Sequence, residues 1–496
     1  MRFSAEAIEN KKIQLDAIDK YPELVKDVVA GHIDEDFTLQ RLRRYWEPGG
    51  GATLYCIVTK VSRYFLKVKH ASVFVESMLE SETDYIRLPS LQNEANFLSI
   101  LQSDDVPDLL FYEERNGFSF LAMEMLTPFA EGVDTLLVSE LLAAWTDLES
   151  FVRSLYDRGI VHTDLHEGNL CFRKSRIVVC DFEEARCLAQ HLPFTESLDY
   201  CGQNRYGEVG SFPSETNKGI PGLTSLLRLK EVFKSRIRTA LLRYLVECKF
   251  DHTCSFNADV LQHEDSRIYQ SVDCDGILIT GQRPLLDGRK HILQYLLAKH
   301  WIESKEALHH IDLGSNLGTF CFVAATVPYV SASIGLEAFD RYIVAANALR
   351  FLYDAEKASF VRFVCGESKL KDLGMGGEII CTMLSVYHHV ENREFFLSDL
   401  LSNRPVMLLA EFATQERYYP ERGSLVAEIE YIRDYLGYKA ANTVSVSSDY
   451  KRPLVLFSDG TLKKIDNIYF RMAGKKFFKW ALSVLITARG AGRLNR

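Results

Sequence analysis

The sequence predicts two folded domains of different class: an α+β domain made of two lobes, followed by an α/β domain with a doubly wound sheet. The chain has 496 residues, more than one ordinary core accommodates. Apolar residues make up 47% and charged residues 25%, a balance typical of globular proteins. The first half shows a β-hairpin pattern between helical segments, whereas the second half alternates short apolar runs with helical segments.

Composition and patterning divide the chain into five segments. Residues 1–45 are expected to be helical, 46–250 to form the first domain, 251–279 a polar and acidic linker, 280–460 the second domain, and 461–496 a basic tail. A helix is predicted to end before Gly159, because its apolar positions recur at steps of three and four: Leu141, Trp145, Leu148, Val152 and Leu155. In the second domain, seven apolar runs predict strands: HHIDLG, SASIGLE, FVRFVCG, EIICTML, PVMLLAEF, TVSVSS and RPLVLFSDG.

Cysteine usage and charge exclude several classes of function. The 11 cysteines form no CxxC pair or regular Cys/His spacing, so neither a zinc site nor a disulfide framework is predicted. The first residues mix charges of both signs without an apolar run, so we expect no secretory signal and a cytoplasmic location. A net charge of -9 makes nucleic acid an unfavoured partner.

The first chemical motif runs from His162 to Asn169 and fits H-x-D-x-x-x-x-N. Asp181 follows after a predicted hairpin. Phosphoryl transfer explains this spacing, because one carboxylate must orient the acceptor hydroxyl while an Asn and a second carboxylate hold Mg²⁺ against the phosphates of ATP. Asp164 is the candidate base, and Asn169 and Asp181 are the candidate metal ligands.

Residues further upstream supply the remaining parts in the expected order. Gly49 to Gly51 are candidates to cover the phosphates of ATP. Lys67 lies on a predicted strand and Glu94 opens a predicted helix. These are the positions from which a lysine and a glutamate pair near ATP. The alternatives are a structural loop, which is how a lone HxD is usually explained, and a kinase fold without activity.

These motifs resemble those of the protein-kinase-like fold. At two positions the sequence departs from the protein kinases and resembles the aminoglycoside and choline kinase branch of that fold. His166 stands where kinases that act on serine or threonine carry lysine, and Glu183 replaces the glycine of DFG. The resemblance implies a hydroxyl of a sugar or small molecule as acceptor. Thr163 replaces the arginine that reads a phosphorylated activation loop, so control by that route is not expected.

The second chemical motif is an apolar strand that ends in D-x-G-x-x-x-G, formed by Asp312, Gly314 and Gly318. A glycine-containing turn between strand and helix lets the backbone approach a ligand closely. The alternative is a plain turn. Glu337 ends the next predicted strand, where a carboxylate can accept from ribose hydroxyls.

This spacing resembles motif I of class I S-adenosylmethionine methyltransferases, which have a Rossmann-like fold. The resemblance implies that Glu367 contacts the adenine and that His388 and His389 lie near the transferred methyl group. One of these histidines is a candidate base or a ligand for an anionic acceptor; the alternative is a hydrogen-bonded loop histidine. Gln282 and Arg283 are candidates to close over the cofactor or hold a phosphate, against a solvated surface arginine.

A sugar-type kinase joined to a methyltransferase with a YHH loop resembles the bifunctional chain terminators of bacterial O-antigen synthesis, the WbdD type, although here the kinase motifs come first. The resemblance implies ATP, Mg²⁺ and S-adenosylmethionine as cofactors, a glycan or glycolipid acceptor, and a role in lipopolysaccharide biosynthesis. The alternatives are an RNA or small-molecule methyltransferase with a kinase-like accessory domain.

The tail bears on the partner. From Lys463 onward there are nine basic residues and a single acid, Asp466. An apolar stripe through Gly474, Phe478, Leu482 and Leu485 lies opposite a basic and polar face, a pattern typical of helices that lie on anionic membranes. We therefore expect this segment to contact the inner face of the cell membrane or a glycosyltransferase partner; the alternative is docking on the protein's own surface.

Overall fold

The computed structural model describes residues 22–42, 52–70, 91–162, 164–187, 221–248, 270–274, 277–279, 281, 288–304, 306–374, 376–447 and 451–460. They fall in two compact units that divide between Arg236 and Ile237. Gly49 to Gly51, Thr163, Gln282, Arg283 and the tail 461–496 lie outside the described residues. Within the described part of the chain, no helix is both long and apolar enough to cross a membrane.

The described residues of the N-terminal unit form ten short strands and the helices between them. Its strands are β1 (Phe37–Arg41), β2 (Ala52–Thr59), β3 (Arg63–His70), β4 (Leu109–Arg115), β5 (Phe118–Glu124), β6 (Thr127–Pro128), β7 (Ile160–Val161), β8 (Leu170–Arg173), β9 (Arg176–Val179) and β10 (Arg186–Cys187). Its helices are α1 (Pro22–Ala30), α2 (Leu91–Leu101), α3 (Phe129–Gly132), α4 (Val138–Asp157) and the first part of α5 (Pro221–Cys248).

The main sheet of this unit is antiparallel, with the strand order β1-β2-β3-β5-β4. Its core is formed by Ile57, Leu66, Phe120 and Ala122. The prediction of helix for residues 1–45 is wrong at its C-terminal end: α1 is helical, but Phe37–Arg41 is a strand that pairs with β2. The alternating side chains of Phe37 and Leu39 pack against the core of the sheet, which favours an extended backbone.

Helix α4 leads directly into the segment that carries the His162 motif. Its predicted apolar face is confirmed, because Leu141, Trp145, Leu148, Val152 and Leu155 are all buried. The helix ends at Asp157, and Gly159 adopts a φ of 71°, a conformation that glycine takes without strain.

The C-terminal unit contains the last part of α5, a short hairpin, and a mixed sheet with helices. Its strands are β11 (Val272–Cys274), β12 (Ile277–Ile279), β13 (Leu308–Leu313), β14 (Val330–Glu337), β15 (Ala358–Arg362), β16 (Glu378–Leu384), β17 (Met407–Glu411), β18 (Ala440–Val446) and β19 (Pro453–Ser458). Its other helices are α6 (Gly288–Ser304), α7 (Thr319–Ala325), α8 (Asp340–Leu352), α9 (Arg393–Ser402) and α10 (Leu425–Tyr435). The end of the predicted linker thus forms the β11–β12 hairpin.

All seven runs predicted as strands are strands, and they form one sheet with the order β15-β14-β13-β16-β17-β19-β18. Strands β13 to β17 are parallel, and β19 is antiparallel to both of its neighbours. The order reverses between β13 and β16, since the chain fills one side of β13 first and then crosses to the other. In open α/β sheets, ligands bind outside the carboxyl ends of the strands at such a reversal.

Gly314, which follows β13, has a φ of 69°, and a Cβ there would lie 2.2 Å from Cγ2 of Val386. We expect Gly314→Ala to lower the free energy of unfolding by roughly 2–4 kcal/mol, since backbone strain and a steric clash add together. Gly437 is the matched control. Its φ is 70°, but among the described residues beyond its two chain neighbours no atom lies within 4 Å of the position that an added methyl group would take.

Gly437→Ala should therefore lower the free energy of unfolding by only about 1 kcal/mol, which is the cost of the left-handed backbone alone. Denaturant unfolding of both variants measures the difference. Equal losses would contradict close packing between Gly314 and Val386.

Candidate functional sites

The candidate nucleotide site lies around Lys67, in the middle of β3. Its Nζ lies 2.7 Å from Oε2 of Glu94 and 2.7 Å from Oδ1 of Asp181. Lys67 and Glu94 are buried. The structure therefore brings together three of the predicted site residues, which are separated by up to 114 positions in the sequence.

A second ion pair extends this cluster. Lys69 lies two residues beyond Lys67, so both side chains are on the same face of the strand. Its Nζ lies 2.7 Å from Oε2 of Glu183, whose other oxygen lies 3.7 Å from Nζ of Lys67. We call these five residues (Lys67, Lys69, Glu94, Asp181 and Glu183) the lysine–carboxylate cluster. Sequence reasoning missed Lys69, although its two-residue spacing from Lys67 was a usable signal.

The segment around Asp181 is held by hydrogen bonds from several elements. Asp181 has a φ of 64°, and its N–H donates to Oε1 of Glu94 at 3.1 Å. The amide of Asn93 lies within hydrogen-bond distance of the carbonyl oxygens of residues 182, 183 and 185. Nε2 of His162 lies 2.8 Å from the carbonyl oxygen of Cys180. The backbone that presents Asp181 and Glu183 is therefore fixed from both sides.

Asp164 and Asn169 lie together in the loop before β8. The side-chain amide of Asn169 donates to the carbonyl oxygen of Asp164 at 2.8 Å and lies 3.4 Å from its Oδ2. The N–H of Cys180 donates to the carbonyl oxygen of Asn169 at 2.8 Å, which places this loop beside Asp181. Nε2 of His166 lies 3.7 Å from Oδ2 of Asp164.

Burial and charge compete in the lysine–carboxylate cluster. Burial opposes the charge of Lys67, yet Asp181, Glu94 and Glu183 raise its pKa well above the ordinary value. Burial raises the pKa of Glu94 to about 7 despite the opposing charge of Lys67. Burial also acts to raise the pKa of Asp181, but Lys67 outweighs it and keeps that pKa below the ordinary value. Lys67 is therefore charged, and Asp181 is ionised beside it.

Asp181 is the member of this cluster suited to a divalent cation, because its side chain is 37% exposed, whereas Glu94 is buried against Lys67. Carboxylate oxygens of Glu94, Asp181 and Glu183 lie within 4.8 Å of one another, and hard oxygen ligands are those that Mg²⁺ prefers. Asp181 is the member of this set that sequence reasoning assigned to the metal.

The candidate cofactor site lies at the carboxyl ends of β13 and β14. The turn after β13 contains three residues with positive φ, namely Gly314 at 69°, Asn316 at 51° and Gly318 at 80°. A Cβ on Gly318 would lie 2.3 Å from the ring of Phe360. The turn thus requires glycine for conformation and for packing at both predicted positions.

Glu337 ends β14 and is buried against this turn. Its Oε2 accepts from the N–H of Asn316 at 2.8 Å, and its Oε1 accepts from the N–H groups of Ala338 and Phe339 at 2.9 and 3.2 Å. Burial raises the pKa of Glu337, against the effect of these N–H groups. Carboxylate oxygens offer about two lone pairs each, so Oε2 still has room for a ligand hydroxyl.

Polar atoms without partners concentrate at this edge of the sheet. Among the described residues, eight buried side-chain atoms lack a hydrogen-bond partner, and four of them lie here: Oδ2 of Asp312, Oγ of Ser315, Oδ1 of Asn316 and Nδ1 of His388. A buried polar atom without a partner costs roughly 1–3 kcal/mol. This edge is therefore suited to a ligand that carries hydroxyl and amine groups, and the residues fit S-adenosylmethionine.

Asp312 is the central acid of this site. Its Oδ1 accepts from the hydroxyl of Thr382 at 2.6 Å. Burial raises its pKa to about 7. The hydrogen bond from Thr382 opposes this increase, Glu337 adds to it by a smaller amount, and Arg289 lowers it slightly. A cationic or hydroxyl-bearing ligand favours the ionised form.

Glu367 lies exposed in the turn after β15. The N–H of Phe363 donates to the carbonyl oxygen of Glu337 at 2.9 Å, so this turn and the end of β14 share one edge of the sheet. Among the described residues, neither a hydrogen bond nor an ion pair joins the Glu367 side chain to the turn after β13.

His388 and His389 follow β16 in a short turn, with ring centroids 4.0 Å apart. Burial lowers the pKa of His388 to about 2, assisted by the nearby His389, Arg452 and Arg393. Burial and Arg452 also lower the pKa of His389. Both rings are therefore neutral at physiological pH, and His388 is a poor proton acceptor there.

Arg393 lies beside these histidines and was missed by sequence reasoning. It donates to the carbonyl oxygen of Tyr418 at 2.6 Å, and its guanidinium lies 5.1 Å from the ring of Tyr387 and 5.9 Å from that of Tyr419. In the part of the chain that the structure describes, no carboxylate lies within 4 Å of it. A half-buried cation without a carboxylate partner is suited to an anionic ligand.

Glu411, at the end of β17, is a second residue that sequence reasoning missed. It is fully buried, accepts from Arg289 at 2.8 Å and from the hydroxyl of Ser385. Ser385 has a φ of 65°, so Glu411 stabilises a strained residue that leads into the histidine turn. The sequence did carry a signal for Glu411, since an acid near the end of the apolar run PVMLLAEF is unusual in a predicted buried strand.

No family model matches the chain, and no curated protein matches it. Among solved structures, it is similar to EvdMO1 (11% identity over 38% of this chain and 43% of that chain, TM-score 0.29). It is also similar to the Cydia pomonella granulovirus kinase PK-1 (17% identity, 44% and 74%, TM-score 0.29) and to monomeric WbdD (17% identity, 41% and 49%, TM-score 0.31). The N-terminal domain of EvdMO1 has been solved with SAH bound.

The chain thus spans less than half the length of EvdMO1 and of WbdD. Its structural neighbours include methyltransferase-like and kinase-like proteins. At these identities and TM-scores, function has to be argued from the two sites themselves.

We expect Lys67→Met to lower the thermal unfolding temperature, by an amount that grows between about pH 6 and about pH 8. Lys67 offsets three carboxylates, and without it the pKa of Glu94, already about 7, rises further. Ionisation of these carboxylates as the pH rises is then opposed by burial and by mutual repulsion. Thermal melts at both pH values measure the effect.

Lys26→Met is the matched control, since Lys26 forms an exposed pair with Glu23. Its effect should be small and independent of pH. If Lys67→Met lowers the unfolding temperature equally at both pH values, the proposed electrostatic role of Lys67 is contradicted.

We expect Asp312→Asn to stabilise the protein while weakening its affinity for the cofactor. The folded pKa of Asp312 is raised to about 7, so its contribution to stability is lost as the pH rises from about 4 to about 7. Asp312→Asn should therefore raise the free energy of unfolding more at pH 8 than at pH 5, and the two increases should differ by roughly 2 kcal/mol or more. Denaturant unfolding at both values checks this, and a gain independent of pH would refute it.

Proposed function

We propose that this chain is a bifunctional enzyme that phosphorylates a hydroxyl of a glycan or small molecule with ATP and then transfers a methyl group from S-adenosylmethionine to the new phosphate. The observation that carries the proposal is the presence of two separate polar sites in one chain. One is the lysine–carboxylate cluster, and the other is the set of unpartnered polar atoms at the end of β13.

The lysine–carboxylate cluster supports the phosphoryl-transfer step. Lys67 provides a buried ammonium for the phosphates, and Glu94 fixes its position at 2.7 Å. Bound Mg²⁺ would neutralise charge on the transferred group, with Asp181 and Asn169 as its ligands. Asp164 orients the acceptor hydroxyl and takes its proton as the new P–O bond forms and the bond to ADP breaks.

The turn after β13 supports the methyl-transfer step. S-adenosylmethionine supplies an electrophilic methyl group on a sulfonium. Glu337 is placed to accept from ribose hydroxyls, and Asp312 offers Oδ2 to a further donor. Gly314 and Gly318 allow the backbone to approach a ligand without side chains in between.

Arg393 and the neutral histidines support an anionic methyl acceptor. A phosphate monoester is ionised at neutral pH, so its oxygen can attack the methyl carbon without a base while the carbon–sulfur bond breaks. A hydroxyl or amine acceptor would need a base, and the pKa of His388, at about 2, makes it unsuited to that role. In this proposal His388 and His389 bind the acceptor, and Arg393 pairs with its phosphate.

The acceptor class in this proposal is a glycan or glycolipid at the cytoplasmic face of a membrane, as in polysaccharide chain termination and lipopolysaccharide biosynthesis. Support comes from the basic, amphipathic pattern of residues 461–496, which favours an anionic membrane surface or a glycosyltransferase partner. Gln282 and Arg283 are proposed to close over the cofactor. Glu367 is proposed to contact the adenine.

The test is incubation of the full chain with labelled ATP, labelled S-adenosylmethionine and oligomannose acceptors, followed by mass determination of the product. We expect one added phosphate and one added methyl group. Asp164→Ala should lose both, and a chemically phosphorylated acceptor should restore methylation. Arg393→Met should keep phosphorylation but lose at least about tenfold in methylation, because a charge-assisted pair is removed.

Arg433→Met is the matched control, since Arg433 pairs with Asp434 on the surface, and both activities should be unchanged. Equal methylation of phosphorylated and unphosphorylated acceptors would contradict the order of steps. Methylation of RNA instead of the glycan would favour a methyltransferase with a kinase-like accessory unit.

A further inference from the structure

A chain of side-chain hydrogen bonds crosses three adjacent strands of the C-terminal unit and ends at Asp312. Oγ of Ser333 on β14 lies 2.8 Å from Nδ1 of His310 on β13. Nε2 of His310 lies 3.0 Å from Oγ1 of Thr382 on β16, and that hydroxyl lies 2.6 Å from Oδ1 of Asp312. All four residues are at most 2% exposed.

The chemistry of these groups gives the chain one direction. An ionised carboxylate only accepts, so the single hydroxyl hydrogen of Thr382 points to Asp312; the other acceptor in reach, the carbonyl oxygen of Ile311, lies at 3.4 Å. The Thr382 oxygen must then accept from His310, which places the ring hydrogen on Nε2. Nδ1 is left to accept from the hydroxyl of Ser333.

His310 is neutral, which this arrangement requires. Burial lowers its pKa to about 3, so the ring carries one hydrogen rather than two throughout the physiological range. A protonated ring would need acceptors at both nitrogens and would reverse the bond with Ser333. The Cys321 thiol also lies within hydrogen-bond reach of Ser333.

We propose that His310 is a positioning residue of the cofactor site, which holds the Thr382 hydroxyl as a donor to Oδ1 of Asp312 so that Oδ2 stays available to an amine or hydroxyl of the cofactor. The inference rests on the proposed binding of S-adenosylmethionine by the C-terminal unit. It assigns a function to a histidine that lies behind the site and touches no ligand.

Other charged groups around Asp312 act independently of this chain. Glu337 lies on the neighbouring strand and raises the pKa of Asp312, whereas Arg289 of α6 lowers it. Burial raises the pKa of the Cys321 and Cys381 thiols, and the charge of Asp312 adds to that increase. Among the described residues, the hydroxyl of Thr382 bonds to His310, Asp312 and the Ile311 carbonyl rather than to any of these groups. Substitution of His310 therefore changes the direction of the hydroxyl and leaves these charges in place.

The first test uses the full chain without ligand. Nitrogen-15 NMR of labelled histidine at about pH 8, where a pKa of about 7 leaves Asp312 ionised, should find His310 as the Nε2–H tautomer, and Thr382→Val should remove that preference. An Nδ1–H tautomer or an imidazolium in the wild type would overturn the proposal. This readout does not depend on cofactor binding.

The second test is calorimetry with S-adenosylhomocysteine at about pH 8. His310→Leu and Thr382→Val should each weaken binding about tenfold, because a buried donor or acceptor loses its partner. His310→Gln, which can present an N–H to Thr382, and Thr382→Ser, which keeps the hydroxyl, should remain within about threefold of the wild type. Should His310→Leu fail to fold, the Thr382 pair decides the question alone.

Cys381→Ala is the matched control, since Cys381 is a buried neighbour of Thr382 on β16 and lies outside the chain of hydrogen bonds. Its stability should fall while its affinity stays within about twofold of the wild type. If His310→Leu and Thr382→Val bind like Cys381→Ala, His310 is a packing residue and the proposal is wrong. If the wild type itself does not bind S-adenosylhomocysteine, the proposed function fails, and the tautomer measurement still decides the direction of the chain.

Discussion

Removal of ionised side chains from water is the constraint on which both candidate sites depend. In the N-terminal unit, the ammonium group of Lys67 lies between Glu94 and Asp181, and Glu183 and Lys69 complete the arrangement. Each buried charge is tolerated only because an opposite charge lies at hydrogen-bond distance. The α2 helix, β3 and the segment after β9 are therefore held together by the same electrostatic requirement.

The C-terminal unit meets this constraint differently. Glu411 is offset by Arg289 at 2.8 Å. Oδ1 of Asp312 instead accepts from the neutral hydroxyl of Thr382, and burial raises its pKa to about 7. Oδ2 of Asp312, Oγ of Ser315 and Oδ1 of Asn316 have no hydrogen-bond partner among the residues that the structure describes. One unit thus compensates its charges internally, whereas the other leaves polar capacity for a ligand.

Much of the fold follows from local pattern. The seven strands of the C-terminal sheet were predictable because apolar runs alternate with helical segments, and α4 was predictable from its three- and four-residue steps. Strand β1 was not, because five residues with two inward side chains carry little periodic signal. The antiparallel position of β19 depends on pairing between distant segments, which no local pattern specifies.

The candidate sites divide in the same way. Residues in spaced motifs, such as Lys67, Asp181, Asp312 and Glu337, could be selected from sequence. Arg393 and Arg289 could not, because their significance arises from which charges the fold places nearby. For His388 the sequence left base and ligand open, and burial makes it neutral.

The close approach of Gly314 and Val386 has an evolutionary consequence. The valine side chain fills the space that a methyl group on the glycine would need, so the loop after β13 and the histidine turn after β16 behave as one steric unit. A related protein with a larger residue in place of Gly314 would need a smaller residue in place of Val386. Related sequences should therefore show correlated replacement at these two positions, although 72 residues separate them.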